Sequence, residues 1–165
     1  MKNYRLNFNN YKFSSPRGFT LIEVLITLAI TMILTVATVP IYGSLQTSTQ
    51  VNENTSLLIQ SLRTAQERSM SRVNNSSHGI KLFTHSYVLY QGSSYSLRTQ
   101  VYDRTIDLED AVSLSWNLSG VGQIDEINFS KSLGEPDMTG TINITHDIGN
   151  TKTIEINSFG KVEEQ

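Results

Sequence analysis

The sequence predicts an α+β protein in which one long amino-terminal helix, transmembrane in its first part and amphipathic in its second, precedes a globular domain of antiparallel β-sheet. An apolar run covers residues 19–42, and a helical period of apolar residues returns over residues 51–73. From residue 74 onward, short runs rich in Ile, Val, Tyr, Phe and Thr alternate with turn residues. Residues 74–165 are numerous enough to bury a modest core of their own.

The first 18 residues form a basic leader. They contain four basic residues and no acidic one. The basic residues are Lys2, Arg5, Lys12 and Arg17. Because basic flanks of a membrane segment stay on the cytoplasmic side, we expect the amino end inside and the carboxy-terminal domain outside the cytoplasm.

Residues 19–42 are predicted to cross a membrane once. At about 1.5 Å per helical residue, the run is long enough for a hydrocarbon core of about 30 Å. No Ala-x-Ala-like cleavage site follows it, so a secretory signal is not indicated. Pro40 removes one backbone hydrogen bond and predicts a bend near the end of the span.

One side of this helix carries small polar residues, with Glu23 at the edge of the stripe. The stripe consists of Thr20, Thr27, Thr31, Thr35 and Thr38. Two interpretations are open. The hydroxyls could bond neighbouring helices at close approach, or they could bond carbonyls of their own helix one turn earlier.

The amphipathic segment, residues 43–73, has its apolar residues on one face and its charged residues elsewhere. The apolar face contains Val51, Leu58, Leu62 and Ala65. We expect this face to cover the inner side of a sheet rather than to form a groove for a partner, because the following strands need a cover. The strands are predicted at residues 79–84, 87–91, 99–106, 112–116, 126–130, 140–145 and 152–157, with a short extra one at 161–162.

The residues Gly18-Phe19-Thr20-Leu21-Ile22-Glu23-Val24-Leu25 resemble the class III signal of type IV prepilins and type II secretion pseudopilins. The resemblance implies that a prepilin peptidase cuts between Gly18 and Phe19 and that Phe19 becomes N-methylated. It also implies that Glu23 pairs with the new amine of a neighbouring subunit, with Thr20 and Pro40 contributing to assembly. A carboxylate near a bilayer core costs roughly 2.5–3.5 kcal/mol on insertion scales, so a partner for Glu23 is expected.

Further motifs resemble the GspH/FimT family of minor pilin-like subunits. They are residues 62–69 (LRTAQERS), Ile127-Asn128-Phe129 with Gly134, residues 140–144 (GTINI), and Ile154-Glu155-Ile156 with Gly160-Lys161-Val162. The resemblance implies a minor subunit that assembles with other subunits and with an inner-membrane assembly platform. Its expected location is the bacterial inner membrane and then a type II secretion pseudopilus or a type IV pilus.

Two other functions are open. Some pilins of this family bind DNA, which would here use Arg68, Arg72 and Lys161. Without its leader, however, the chain has 9 basic and 15 acidic residues, a formal net charge of about −6, so phosphate binding is not favoured. The third hypothesis is a permanently anchored single-pass binding protein, which predicts an uncleaved leader.

Catalysis is not indicated, because the sequence has no G-x-S-x-G, P-loop or H-E-x-x-H motif. We therefore expect no enzyme, cofactor or metal. Two groups of possible metal ligands match no established ligand spacing. They are the histidines His78, His85 and His146 and the acids Asp107, Glu109 and Asp110.

Overall fold

The computed structural model describes residues 18–165, except for the side chains of residues 37–42. The predicted leader, residues 1–18, therefore lies outside the described residues apart from Gly18. The chain divides into two compact units, Met1–Ile41 and Tyr42–Gln165. Helix α1, Leu21–Met70, contributes residues to both.

Among the described residues, no helix combines the length and the apolar character needed to cross a membrane. The span predicted over residues 19–42 and the bend predicted at Pro40 both include residues whose side chains lie outside the described ones. Both stay predictions.

The second unit contains eight strands in two four-stranded antiparallel sheets, which confirms the predicted α+β class. The first sheet has the order β3-β2-β1-β5 and the second the order β4-β6-β7-β8. The strands are β1 (His78–Phe83), β2 (Ser86–Gln91), β3 (Arg104–Asp107), β4 (Val112–Gly120), β5 (Glu126–Phe129), β6 (Met138–His146), β7 (Thr151–Ile156) and β8 (Val162–Glu164).

One predicted strand, residues 99–106, is wrong in its first half. A short 3₁₀ helix, Gln100–Tyr102, occupies that part, and only β3 remains extended. The reason is a closed loop: the Thr99 N–H donates to the Gln91 carbonyl at 2.9 Å, and Arg98 pairs with Asp103 at 2.6 Å. Held in this way, the segment cannot continue along β2.

Helix α1 ends three residues before the predicted boundary at residue 73. Its last turn closes through the Ser71 N–H, which donates to the Glu67 carbonyl at 2.8 Å. Arg72 then adopts a left-handed conformation with φ 52°, which stops an α-helix. A short 3₁₀ helix, Val73–Asn75, leads into β1.

The apolar face of α1 packs into the core of the second unit, as predicted. Val51, Leu58, Leu62 and Ala65 are fully buried in one cluster with residues of both sheets. The sheets contribute Ile80, Leu82, Tyr87, Leu89, Ile127 and Phe129 from the first and Val112, Leu114, Leu118, Met138, Ile142, Ile144, Ile154, Ile156 and Val162 from the second. One helix face therefore serves both sheets.

Polar side chains at the edges of that face bind the helix to the sheets. Ser69 lies buried at the last turn, where its hydroxyl accepts the His78 N–H at 2.8 Å. Toward the second sheet, Arg63 donates to the Val162 carbonyl at 3.1 Å. Gln50 lies 3.1 Å from the imidazole Nε2 of His146. These bonds set the register of the helix against the strands.

We predict that truncating the buried leucine of α1 destabilises the protein, whereas truncating its neighbour in sequence does not. Leu58 is 0% exposed and Leu57 is 47% exposed. Leu58→Ala should lower the free energy of unfolding by about 2–5 kcal/mol, and Leu57→Ala by less than about 1 kcal/mol. Urea denaturation followed by the fluorescence of Trp116, the single tryptophan, measures both. Equal losses in the two variants would contradict the packing described.

His78 predicts a pH dependence of stability. Burial, and secondarily the charge of Arg68, lower the pKa of His78 below its ordinary value of 6.5. Between the two pKa values, the unfolded chain binds a proton at His78 that the folded chain does not bind. The folded protein therefore loses stability as pH falls below about 6.5.

We expect the free energy of unfolding to decline more between pH 7.5 and pH 5.5 in the parent protein than in His78→Gln. The difference should reach at most ~1.4 kcal/mol per pH unit. Denaturation curves at four pH values measure it, and the comparison removes the contribution of other titrating groups. Parallel pH profiles for the two proteins would refute the prediction.

Candidate functional site

The amino end of α1 begins with a side-chain cap that the sequence analysis missed. The Thr20 carbonyl accepts the N–H groups of Glu23 at 3.1 Å and Val24 at 3.2 Å. The Thr20 side-chain hydroxyl also accepts the Glu23 N–H at 3.3 Å. A threonine three residues before a glutamate is the sequence signature of a helix start, so this spacing could have been recognised. Thr20 therefore positions Glu23 in the first helical turn.

The two residues on either side of the predicted cut are accessible. Gly18 and Phe19 lie outside the helix, and the Phe19 side chain is 83% exposed. A Cβ added at Gly18 would have no heavy atom of the described residues within 4 Å.

Glu23 is an exposed acid in the first turn of α1. The unpaired N–H groups at a helix start favour a negative charge there. No ion pair among the described residues includes Glu23.

The residues that follow expose apolar side chains in all directions. Every residue from 18 to 36 is exposed. The large apolar ones are Phe19, Leu21, Ile22, Val24, Leu25, Ile26, Leu28, Ile30, Met32, Ile33, Leu34 and Val36. A helix surface with so many exposed apolar side chains needs a lipid or protein environment to cover it.

The threonine stripe is bonded within its own helix. Thr27 donates to the Val24 carbonyl at 2.9 Å, Thr31 to the Thr27 carbonyl at 2.9 Å, and Thr35 to the Thr31 carbonyl at 2.7 Å. Of the two interpretations, the structure supports the local one for these three residues. Thr38 and Pro40 lie outside the residues whose side chains are described.

The three possible DNA contacts lie in different surroundings. The Arg72 Nε donates to the Ser132 hydroxyl at 2.7 Å. Lys161 pairs with Glu163 at 2.5 Å, which neutralises it locally. It lines a groove with Arg63 and Glu67, and neither Arg68 nor Arg72 is among the residues that line this groove. The contacts of Lys161 and Arg72 thus give no continuous basic strip.

The possible metal ligands also serve structural contacts. The imidazole Nδ1 of His85 lies 3.0 Å from the Val112 carbonyl, and Glu109 accepts a hydrogen bond from the Asn54 amide. His146 contacts Gln50, and His78 is buried beneath the end of α1. In the part of the chain that the structure describes, no group of three His, Cys, Asp or Glu residues is arranged to hold a metal ion.

Comparison with known proteins gives one match, at the segment just described. Residues 14–39 match the family described as the prokaryotic N-terminal methylation motif. No curated protein and no solved structure matches the chain. The match covers the exposed Gly18-Phe19 peptide, the capped helix start and Glu23. These findings identify a type IV pilin-like amino-terminal signal at the head of an α+β protein.

Proposed function

We propose that this protein is a non-catalytic minor subunit of a type II secretion pseudopilus or a type IV pilus, in the GspH/FimT group of pilin-like proteins. The observation that supports it most directly is one exposed acid, Glu23, in the first turn of a helix whose next residues expose many large apolar side chains. The subunit supports protein secretion or pilus biogenesis through its place in the filament.

The first step is processing at the cytoplasmic face of the inner membrane. A prepilin peptidase hydrolyses the peptide bond between Gly18 and Phe19 and methylates the new amine. A glycine before the cut leaves the backbone accessible, since it has no Cβ to obstruct the enzyme. Cleavage creates a positive group at Phe19, four residues before Glu23.

The second step is assembly with other subunits on the inner-membrane platform. The apolar surface of residues 19–36 passes from lipid to protein, where water is excluded and an unpaired carboxylate is costly. The amine of Phe19 in one subunit meets Glu23 of the next. Because Thr20 caps the helix at Glu23, the carboxylate is held in the first turn rather than further along the helix.

We expect the leader to remain when Gly18 is replaced. Gly18→Val adds a branched side chain at the cut, so residues 1–18 should be retained and filament entry lost. Gly43→Val is the matched control, because a Cβ at Gly43 also meets no atom within 4 Å. Mass spectrometry of the membrane-extracted protein measures the mature mass. Retention of the leader in the unaltered protein would instead support the permanently anchored binding protein.

We expect Glu23→Ala to be processed and to assemble poorly. In this variant the Phe19 amine of the neighbouring subunit has no acidic partner in a surrounding that excludes water, which should reduce incorporation by at least about tenfold. Glu53→Ala is the control, since Glu53 is an exposed acid further along the same helix. Immunoblots of membranes and of sheared filaments give the ratio of incorporated to processed subunit. Incorporation of Glu23→Ala at the parent level would rule out the assembly role.

A further inference from the structure

Strand β4, Val112–Gly120, is a terminal strand of the second sheet. Its one neighbour in the sheet is β6, in a sheet order of β4-β6-β7-β8. At nine residues it is among the longest strands of the described domain. An edge strand of this length offers a row of backbone groups to another strand.

The register shows which backbone groups of β4 face outward. Asp147 donates to the Ala111 carbonyl at 3.0 Å, and Val121 donates to the Asp137 carbonyl at 3.1 Å. Antiparallel hydrogen-bonded pairs alternate, so the odd-numbered residues of β4 bond β6 and the even-numbered residues point their N–H and C=O groups away.

Two of the outward N–H groups have no partner among the described residues. The Leu114 N–H donates to the Thr84 carbonyl at 2.8 Å, which ends the free edge on that side. The N–H groups of Trp116 and Leu118 come next, and the hydrogen bonds of the described residues include neither as a donor. The free edge is therefore centred on Asn117.

The side chains around this edge lack the charges that would oppose pairing with another strand. Residues 111–123 contain no charged residue, although edge strands are commonly protected by charge. Ser115, Asn117 and Ser119 are exposed on the outer face, Trp116 is half-buried and Leu118 is buried on the inner face. All three exposed residues are small or uncharged, so a second strand can approach.

We infer that β4 pairs with β4 of a second copy of this chain, antiparallel and symmetric about Asn117. The segment Ser115-Trp116-Asn117-Leu118-Ser119 is close to a palindrome. In this register each serine faces a serine and each Trp116 faces a Leu118. The free N–H groups of Trp116 and Leu118 then meet outward carbonyls of the partner, which joins two four-stranded sheets into one of eight strands. This contact is independent of Glu23 and of leader cleavage.

Single cysteines test the pairing in the full-length protein in membranes, because the chain has no cysteine of its own. The two copies of residue 117 form a non-hydrogen-bonded pair with Cα atoms about 4.5 Å apart, within the range of a disulfide. The two copies of residue 115 are displaced by four residues, about 13 Å, which is too far. Both positions are exposed, so the substitutions leave the core intact.

Under a mild oxidant, Asn117→Cys should form a covalent dimer roughly tenfold more than Ser115→Cys does. The double variant Ser115→Cys with Ser119→Cys should dimerise again, because the two positions face each other in this register. Non-reducing gels quantify all three. Absence of the Asn117→Cys dimer would overturn the inference, as would equal dimerisation of Asn117→Cys and Ser115→Cys or failure of the double variant.

Discussion

The fold of the second unit depends on one helix face that covers two sheets. Val51, Leu58, Leu62 and Ala65 are spaced so that they lie on a single side of α1. Each sheet has an apolar side that is not stable in water by itself, and the same helix face removes both from solvent. The polar contacts at its edges then select one position of the helix along the strands.

The beginning of α1 has the opposite character. Its apolar residues point in every direction and have no cover within the described chain, while the second unit contains its own core. Glu23 is placed by a cap at the start of this surface. One helix thus has two segments of different character, because a single apolar stripe suffices for packing on the sheets, whereas the first segment exposes its apolar side chains.

The terminal strands of the two sheets differ in length, charge and burial. At β8 the outward carbonyl of Val162 is occupied by Arg63, and the strand carries charged side chains. β3 is short and contains Arg104 and Asp107, whereas β5 is buried along its whole length. β4 is long and uncharged. In length and in lack of charge, β4 therefore differs from the other three terminal strands.

The local features of this protein follow from its sequence by itself. The signal around Gly18 and Glu23, the apolar face of residues 51–65 and most strands arise from patterns spanning a few residues, so short-range sterics and periodicity determine them. The cap at Thr20 belongs to the same class, although the sequence analysis missed it.

Only the tertiary structure decided how these parts combine. β5 pairs with β1 across more than 40 intervening residues, and residues 99–103 leave the strand because Arg98 and Asp103 close a loop. The free edge at Asn117 likewise depends on which strands are neighbours. Strand pairing is a choice between non-local contacts of similar energy, and it is settled by packing of the whole domain rather than by any single segment.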